Sequence, residues 1–435
     1  MQVIGGVLFD VTSSGPPRTL SAVSRMFSSF MLPRVVSILR FCSAGSLTTG
    51  YVFCHNISGK YSRLISGVAQ SALQCLNRTV MESPEAKRHH SDKMSVLKIG
   101  THNGTFHCDE VLACFFLRQL PEYKDADIVR TRDPTLLDQC DIVVDVGGEF
   151  DPKRHRYDHH QRSFNETFNS LCPEKPWKTK LSSAGLVYLH FGHRVLMELT
   201  QLGRDDQQLE VLFDKLYENF VEEVDAVDNG ILQYDGEARY AVSTTLSARV
   251  SHLNPRWNNK SQDTEEGFRK AMAMVATEFL DRLDFYQNSW LPARLLVETA
   301  VRNRTQVDPS GEVVVLEQGG CPWKEHLFSL ETELNVQPPI KFVLYQDQNA
   351  QWRVQCVPAG LHTFQNRLSL LEEWCGVRDE ALSDLSGIPG CIFVHASGFI
   401  GGNCTRQGAL EMACRTLQAA ANSPDEGSKV QANGS

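Results

Sequence analysis

The residues of this chain that could do chemistry are imidazoles and carboxylates set at the ends of predicted strands. Asp158-His159-His160 follows the apolar run Ile142-Val143-Val144-Asp145 by little more than a dozen residues. Upstream stand His102, His107 and Asp109; downstream Asp228 precedes Asn229-Gly230, with Asp225 one turn earlier. Oxygen and imidazole donors of this kind suit divalent first-row cations. Hydrolysing a phosphate ester requires a water to lose a proton near neutral pH and a non-bridging oxygen to have its charge neutralised. Two divalent ions roughly 3.5–4 Å apart do both. Taken singly, each residue has an ordinary explanation: a loop His is solvated, an Asp at a helix start caps it, an Asp before Asn-Gly favours the turn. Their joint occurrence, in order and on suitable elements, makes a metal-dependent phosphoesterase the leading reading. Asp145, on a strand end, is rigid enough to bridge two ions. His102, His107 and Asp109 can converge on one ion from a loop–helix junction, His159 can complete the set, and Asp228 offers a further carboxylate.

The elements that must position these groups are legible in outline. Val96–Gly100, Ala126–Arg132 and Asp141–Asp145 read as strands, and Asp109–Leu117 reads as a helix with carboxylates in its first turn, where the helix dipole favours them. Pro134–Leu137 starts a short helix, Ser182-Ser183 caps another, and Leu216–Val227 reads helical up to Asp228. Strand–helix alternation with apolar strands implies a parallel sheet covered on both faces, with ligands gathering at the carboxyl ends of the strands. A long amphipathic helix covers roughly 265–286, with Phe268, Met272, Val275 and Phe279 as its buried stripe. Beyond the turn at Val307–Gly311 the texture becomes strand-rich. Val313–Leu316 is a strand, Phe342–Tyr345 and Trp352–Val357 flank the polar turn Asp347-Gln348-Asn349 as a hairpin, and Cys391–His395 leads into Gly398, Gly401 and Gly402. The expected organisation is a leader over 1–93, a metal phosphoesterase domain over 94–299, a smaller α/β accessory domain over 300–420 and a polar, disordered tail over 421–435.

The chain has 435 residues and a net charge of −9, so it does not grip nucleic acid through overall charge. Bound metals and a local basic patch could still supply the positive field; Arg130, Arg132, Lys153, Arg154 and Arg156 flank the site and are candidates for such a funnel, or simply a solvated face. No Cys-x-x-Cys pair occurs, which argues against a zinc knuckle or a thioredoxin-type site. The first residues, to about Arg78, carry seven Arg and Lys against one acid, Asp10, and are rich in Ser. That composition is expected of a mitochondrial transit peptide. Met26, Met81 and Met94 are alternative starts, and Lys87-Arg88-His89-His90 offers a nuclear-import reading. No apolar run is long enough to span a bilayer, so no membrane insertion is expected. No feature assigns an oligomeric state.

Asp158-His159-His160, with the preceding strand aspartate and the earlier His/Asp loop, resembles the DHH phosphoesterase superfamily. The segments Gly100-Thr-His-Asn-Gly-Thr-Phe-His-Cys-Asp109, Val144-Asp-Val-Gly-Gly148, Tyr157-Asp-His-His-Gln161, Val224-Asp-Ala-Val-Asp-Asn-Gly230 and Phe393-Val-His-Ala-Ser-Gly-Phe-Ile-Gly-Gly402 are similar, over about 97–415, to one branch, the melanocyte-proliferating-gene (Myg1) exonuclease family. The resemblance implies a DHH-type parallel-sheet N-terminal catalytic domain with a smaller α/β C-terminal substrate-binding domain. It implies metal ligation by His102, Asp109, Asp145, His159 and Asp228, with Asp225 the rival for the last place. His160 would contact phosphate, and Asp158 would orient the imidazoles. His395, Gly398, Gly401 and Gly402 resemble the glycine-rich phosphate-approaching motif of the accessory domain. Arg367 is a lower-grade substrate contact, and Phe364 and Trp323 are candidates to stack on a base. The chain departs from the superfamily pattern at His107, which stands where an aspartate is usual, one residue further on. A neutral imidazole in place of a carboxylate favours manganese, with magnesium or zinc as alternatives.

The expected activity is therefore removal of nucleotides from single-stranded RNA or short oligonucleotides, three-prime to five-prime by resemblance, using two divalent ions. Targeting features place it in the mitochondrial matrix and in the nucleus or nucleolus. Two rivals stand beside this reading: hydrolysis of a small phosphate compound such as pyrophosphate or a nucleoside bisphosphate, and a non-catalytic metal-containing protein that binds RNA.

Overall fold

Two five-stranded sheets, each paired with its own helices, organise the chain. The computed structural model describes residues 96–422 together with a short antiparallel pair, Phe41–Ser43 with Ser46–Thr48. The targeting readings on the leader, and nearly all of the polar tail, lie outside the described residues. The described residues from 96 onward belong to one compact unit.

The first sheet contains β1 (Lys98–Thr101), β2 (Asp127–Arg130), β3 (Ile142–Val144), β4 (Phe150–Asp151) and β5 (Arg156–Tyr157), in the order β2-β1-β3-β5-β4. β1 pairs parallel with β2 and β3, and β3 pairs parallel with β5; only the short β4 runs antiparallel, at the edge. Helix α1 (Cys108–Gln119) follows β1, and α2 (Pro134–Leu137) follows β2. Side chains alternate across a strand. Ile142 and Val144 therefore enter the main core, whereas Val143 joins Leu137, Cys140 and Val146 on the opposite face. Apolar strands with both faces covered are what a parallel sheet demands.

The main core is built on α1, α3 (Ser183–Thr200), α4 (Gln207–Leu216), α5 (Glu222–Asp228) and the long α7 (Thr264–Phe285), with the short α6 (Leu246–Ser251) preceding it. A wider π turn at Tyr217–Val221 joins α4 to α5, so the single helix expected here carries a local irregularity. On α7 the buried face is Phe268, Ala271, Val275 and Phe279, with Met272 only half-buried, and α7 packs against α1. Phe116 and Phe279 meet edge-on at 4.9 Å between centroids, a favoured aromatic geometry. Each such ring, fully withdrawn from water, contributes about 1.5–3 kcal/mol.

After α8 (Leu291–Arg302) the second sheet begins. It contains β6 (Val313–Leu316), β7 (Phe342–Gln346), β8 (Trp352–Cys356), β9 (Cys391–Val394) and β10 (Ile400–Asn403), in the order β9-β10-β8-β7-β6. Only β6 with β7 is parallel; the expected hairpin is present as the antiparallel β7–β8 pair. Helices α9 (Lys324–Glu333) and α10 (Arg406–Asn422) flank it. His326, on α9, reaches the Trp290 carbonyl at 2.8 Å and ties this sheet to the helices before it. Among the described residues no helix is long and apolar enough to cross a membrane.

Candidate metal centre and active site

The site forms where β1, β3 and β5 end. Parallel pairing sets Val144 beside Tyr157, and the Asp145 amide donates to the Tyr157 carbonyl at 3.1 Å. That register places Asp145 next to Asp158-His159-His160. Asp145 itself adopts φ 59°, the left-handed region, and the chain turns sharply through Gly147 and Gly148 at φ 100° and 68°. A non-glycine residue there is strained by roughly 1–2 kcal/mol. The strain aims the carboxylate back across the strand ends.

The loop Thr101–His107 supplies the second side. Its shape is fixed from outside: the Arg130 guanidinium donates to the carbonyls of His102 and Gly104, and Asn254 brackets the Phe106 backbone with one donated and one accepted bond. Arg130 is thus a buried loop clamp. Of the other funnel candidates, Arg154 pairs with Glu149 and Arg156 donates to backbone carbonyls.

Three donor groups result, each with its ligand atoms within 4.8 Å of one another. They are His102, His107, Glu110 and Asp145; Asp145, Asp158, His159 and His160; and His107, Asp109 and Asp228. Asp145 belongs to the first two, and His107 links the first to the third. His102 Nε2 lies 3.1 Å from Glu110 Oε1 and 3.3 Å from Asp145 Oδ2. His159 Nε2 lies 2.8 Å from Asp228 Oδ2. Glu110 is absent from the sequence-based set. Its spacing three residues after His107, with both oxygens accepting from the His107 amide, is a capping-box signal, and the same carboxylate joins a group that could hold a cation.

The choice between Asp225 and Asp228 is geometric. Asp225 is wholly buried; it accepts from the Ser182 amide and hydroxyl, the Gly185 amide and the Tyr217 hydroxyl, so it caps α3. A Cβ at Gly185 would sit 2.2 Å from Asp225 Oδ2, which is why glycine stands there. Asp228, one turn on, reaches His159 and lines the cavity. Ser183 Oγ donates to Asp109 Oδ2 at 2.8 Å and fixes that carboxylate too.

The electrostatics are those of a cation site. Asp109 Oδ1, Asp145 Oδ1 and His159 Nδ1 are buried without a hydrogen bond among the described residues, the last two lying 3.4 Å apart. An unsatisfied buried polar atom costs roughly 1–3 kcal/mol, so three together in one cluster fit a bound cation. Burial, then the charges of Asp145, Asp228 and Glu110, push the Asp109 carboxyl well above its usual range. Burial would lower the His102 imidazole, but bonds to Asp145 and Glu110 outweigh it and raise it to about 10. Burial would raise Asp158, yet bonds from His160 and the Gly148 amide hold it below its ordinary value. The same Asp158 bond raises His160. Burial pushes the Cys108 thiol up to about 12, so no thiolate competes as a ligand or nucleophile.

An open cavity of about 760 Å³ lies over the cluster, lined by His107, Asp109, His159, His160, Lys180 and Asp228 together with Val242, Thr245, Ser247, Ala248 and Ser251. The residues expected from the second sheet do not line it. Arg367 is engaged by Glu331 through two bonds of 2.7 Å and by the Ile340 carbonyl. Gly401 and Gly402 have packing reasons: a Cβ would meet Met412 at 2.9 Å and Arg353 at 2.6 Å respectively. Gly398 has φ +67° beneath Leu370 and Cys375. His395 is exposed, with Nδ1 held by Ser397. Trp323 is buried in the core and Phe364 is fully exposed.

Fold and site together define a mixed α/β protein with a cation-competent acid–imidazole centre at its parallel strand ends. The MYG1 exonuclease family model, described as uncharacterised protein family UPF0160, matches residues 98–417, and the chain belongs to that family. It is 67% identical to "MYG1 exonuclease" of Bos taurus over 76% of this chain and 87% of that one, and 66% identical to "MYG1 exonuclease" of Homo sapiens over 77% and 89%. It is 48% identical to "MYG1 protein C27H6.8" of Caenorhabditis elegans over 76% and 98%. The names of the mammalian relatives support a nuclease role. No solved structure matches.

Proposed function

We propose that this protein is a metal-dependent exonuclease of DHH type that removes nucleotides from single-stranded RNA or short oligonucleotides, three-prime to five-prime. The observation that carries the reading is the sharing of Asp145 between two donor groups that contain unpartnered buried atoms. His102, His107, Glu110, Asp109, His159 and Asp228 would hold two divalent ions around it. When bound, these supply a water activated near neutral pH and neutralise phosphate charge. The imidazole-rich set favours manganese over magnesium.

The remaining steps fall to the chain's own groups. Asp158 spends Oδ2 on the Gly148 amide and Oδ1 on the His160 amide and Nδ1, so it orients and charges His160 rather than binding substrate. His160 then presents its other ring nitrogen to the cavity as a donor to a phosphate oxygen or the leaving oxygen. An oligonucleotide, rather than a small phosphate compound, is supported by the segment between Asp228 and Thr245. There Leu232, Tyr234, Tyr240 and Val242 are exposed, Tyr240 to 76%, and Val242 reaches the cavity wall. Exposed aromatics in a segment whose two ends line the cavity suit stacking of unpaired bases. The second sheet, through His395 and its glycine turn, is proposed to present the strand; the leader composition proposes mitochondrial and nuclear residence.

The test is the full chain with manganese, magnesium or zinc, offered RNA labelled at either end beside pyrophosphate and a nucleoside bisphosphate. Mononucleotide release from the three-prime end, strongest with manganese, is expected. Turnover of pyrophosphate alone would sink the nuclease reading, and tight RNA binding with no turnover would favour the binding protein.

A further inference from the structure

Lys180 lines the same cavity as His107, Asp109, His159, His160 and Asp228, and among the described residues it is the only lysine or arginine there. Its backbone is pinned on two sides: it pairs with Thr167 in an antiparallel bridge, and its carbonyl accepts from Asn229 Nδ2 at 3.0 Å. Its ammonium lies 5.7 Å from the Phe164 ring centroid, and that ring in turn packs edge-on to His159 at 6.4 Å. The side chain is half-buried.

Among the described residues Lys180 has no carboxylate partner. Among the described residues, three of the four other lysines withdrawn from solvent have one: Lys175 with Glu210 and Asp214, Lys215 with Glu218 and Glu325, Lys341 with Glu312; Lys98, on β1 and away from the cavity, has none. The contrast matters because acids are close at hand. Asp109 and Asp228 share the cavity, yet Lys180 forms no ion pair with either. A lysine placed to neutralise the acid cluster would pair with it. One held against an aromatic face instead keeps its charge for an anion that enters from outside.

We propose that Lys180 is a phosphate-binding residue of this centre, contacting a non-bridging oxygen of the substrate's phosphate. The inference rests on the reading of the cavity as a phosphodiesterase site and deepens it by naming the chain's own cation for the anionic substrate. The charge on phosphate grows toward the transition state, so an ammonium at this wall affects turnover as well as binding.

The experiment uses the full chain with manganese and a short single-stranded RNA, comparing wild type with Lys180→Met, Lys180→Arg and Lys178→Met, the last on an exposed neighbour. Lys180→Met is expected to lower kcat/KM roughly 10²-fold, as loss of one charge-stabilising donor does. Arginine should recover most of the loss, and Lys178→Met should stay within about twofold of wild type, as expected of a surface substitution. Manganese uptake and thermal midpoint should be unchanged in all four proteins. Adenosine 5′-monophosphate should bind Lys180→Met about tenfold more weakly, and its binding to wild type should weaken with salt. Unchanged kcat/KM in Lys180→Met overturns the proposal. So does an equal loss in Lys178→Met, or a loss that tracks lowered metal uptake or thermal midpoint. If wild type releases no nucleotide, the nuclease reading fails instead, and the monophosphate titration still decides whether Lys180 binds phosphate.

Discussion

The two sheets of this protein use similar residues to opposite ends. At the carboxyl ends of β1, β3 and β5, carboxylates and imidazoles crowd together, one residue is strained, and buried polar atoms of Asp109, Asp145 and His159 are among those without a hydrogen bond. Around the second sheet, the charged and amide side chains that could serve a ligand are engaged within the protein: Arg367 with Glu331, Arg353 with Asp347, Asn403 with the Pro389 carbonyl and the Thr405 amide; a buried atom without a partner there, Trp374 Nε1, lies in the apolar core. Satisfied polar groups hold a fold together; unsatisfied ones, gathered and aimed into a cavity, are available to a ligand. The architecture follows the same division. Parallel strands deliver all their carboxyl ends to one rim, whereas antiparallel strands scatter them between two.

The strongest way to break this contrast is at Asp145. Asparagine tolerates the left-handed backbone, so Asp145→Asn should fold normally and lose about 10³-fold or more in nucleotide release. Near-wild-type turnover would move the chemistry elsewhere. Next in size is Asp225→Ala, which strands four donors around a buried position and should cost roughly 3–5 kcal/mol in urea unfolding. Burial raises the Asp225 carboxyl to about 7. The native state therefore holds this proton more tightly than the unfolded chain does. Its contribution is fullest below about pH 4 and is lost as pH rises through about 7. Asp225→Asn should remove that part of the pH dependence, and a stability profile identical to wild type over this window would refute it.

Smaller effects sharpen the other side of the comparison. Gly401→Val drives a side chain into Met412 and Leu370 and should cost about 1–3 kcal/mol in thermal or urea unfolding, with kcat per folded molecule kept. Smallest of all is His395→Ala. If the second sheet presents the strand, KM for an oligonucleotide should rise about tenfold or less with kcat and thermal midpoint unchanged. A fall in kcat as deep as that of Asp145→Asn would mean that the second sheet shares the chemistry.

Much of the site is legible in the sequence because its donors lie next to strong local signals. Asp145 ends an apolar strand, His107 and Asp109 straddle a helix start, and Asp158-His159-His160 follows the next strand. Glu110 escapes because a carboxylate in a first turn has a sufficient local explanation. Lys180 escapes because nothing in its neighbours distinguishes it from a surface lysine.

Sequence by itself determined which elements form and in what order the donors occur, since hydrophobic period, caps and turn residues act over a few positions. Tertiary structure alone decided the partners: that Asp225 caps α3 while Asp228 faces His159, that Glu331 occupies Arg367, and that Lys180 meets the Phe164 ring and, among the described residues, no carboxylate. These contacts join residues tens of positions apart. Their distances depend on how helices and sheets pack, a property of the whole core that no short stretch of chain encodes.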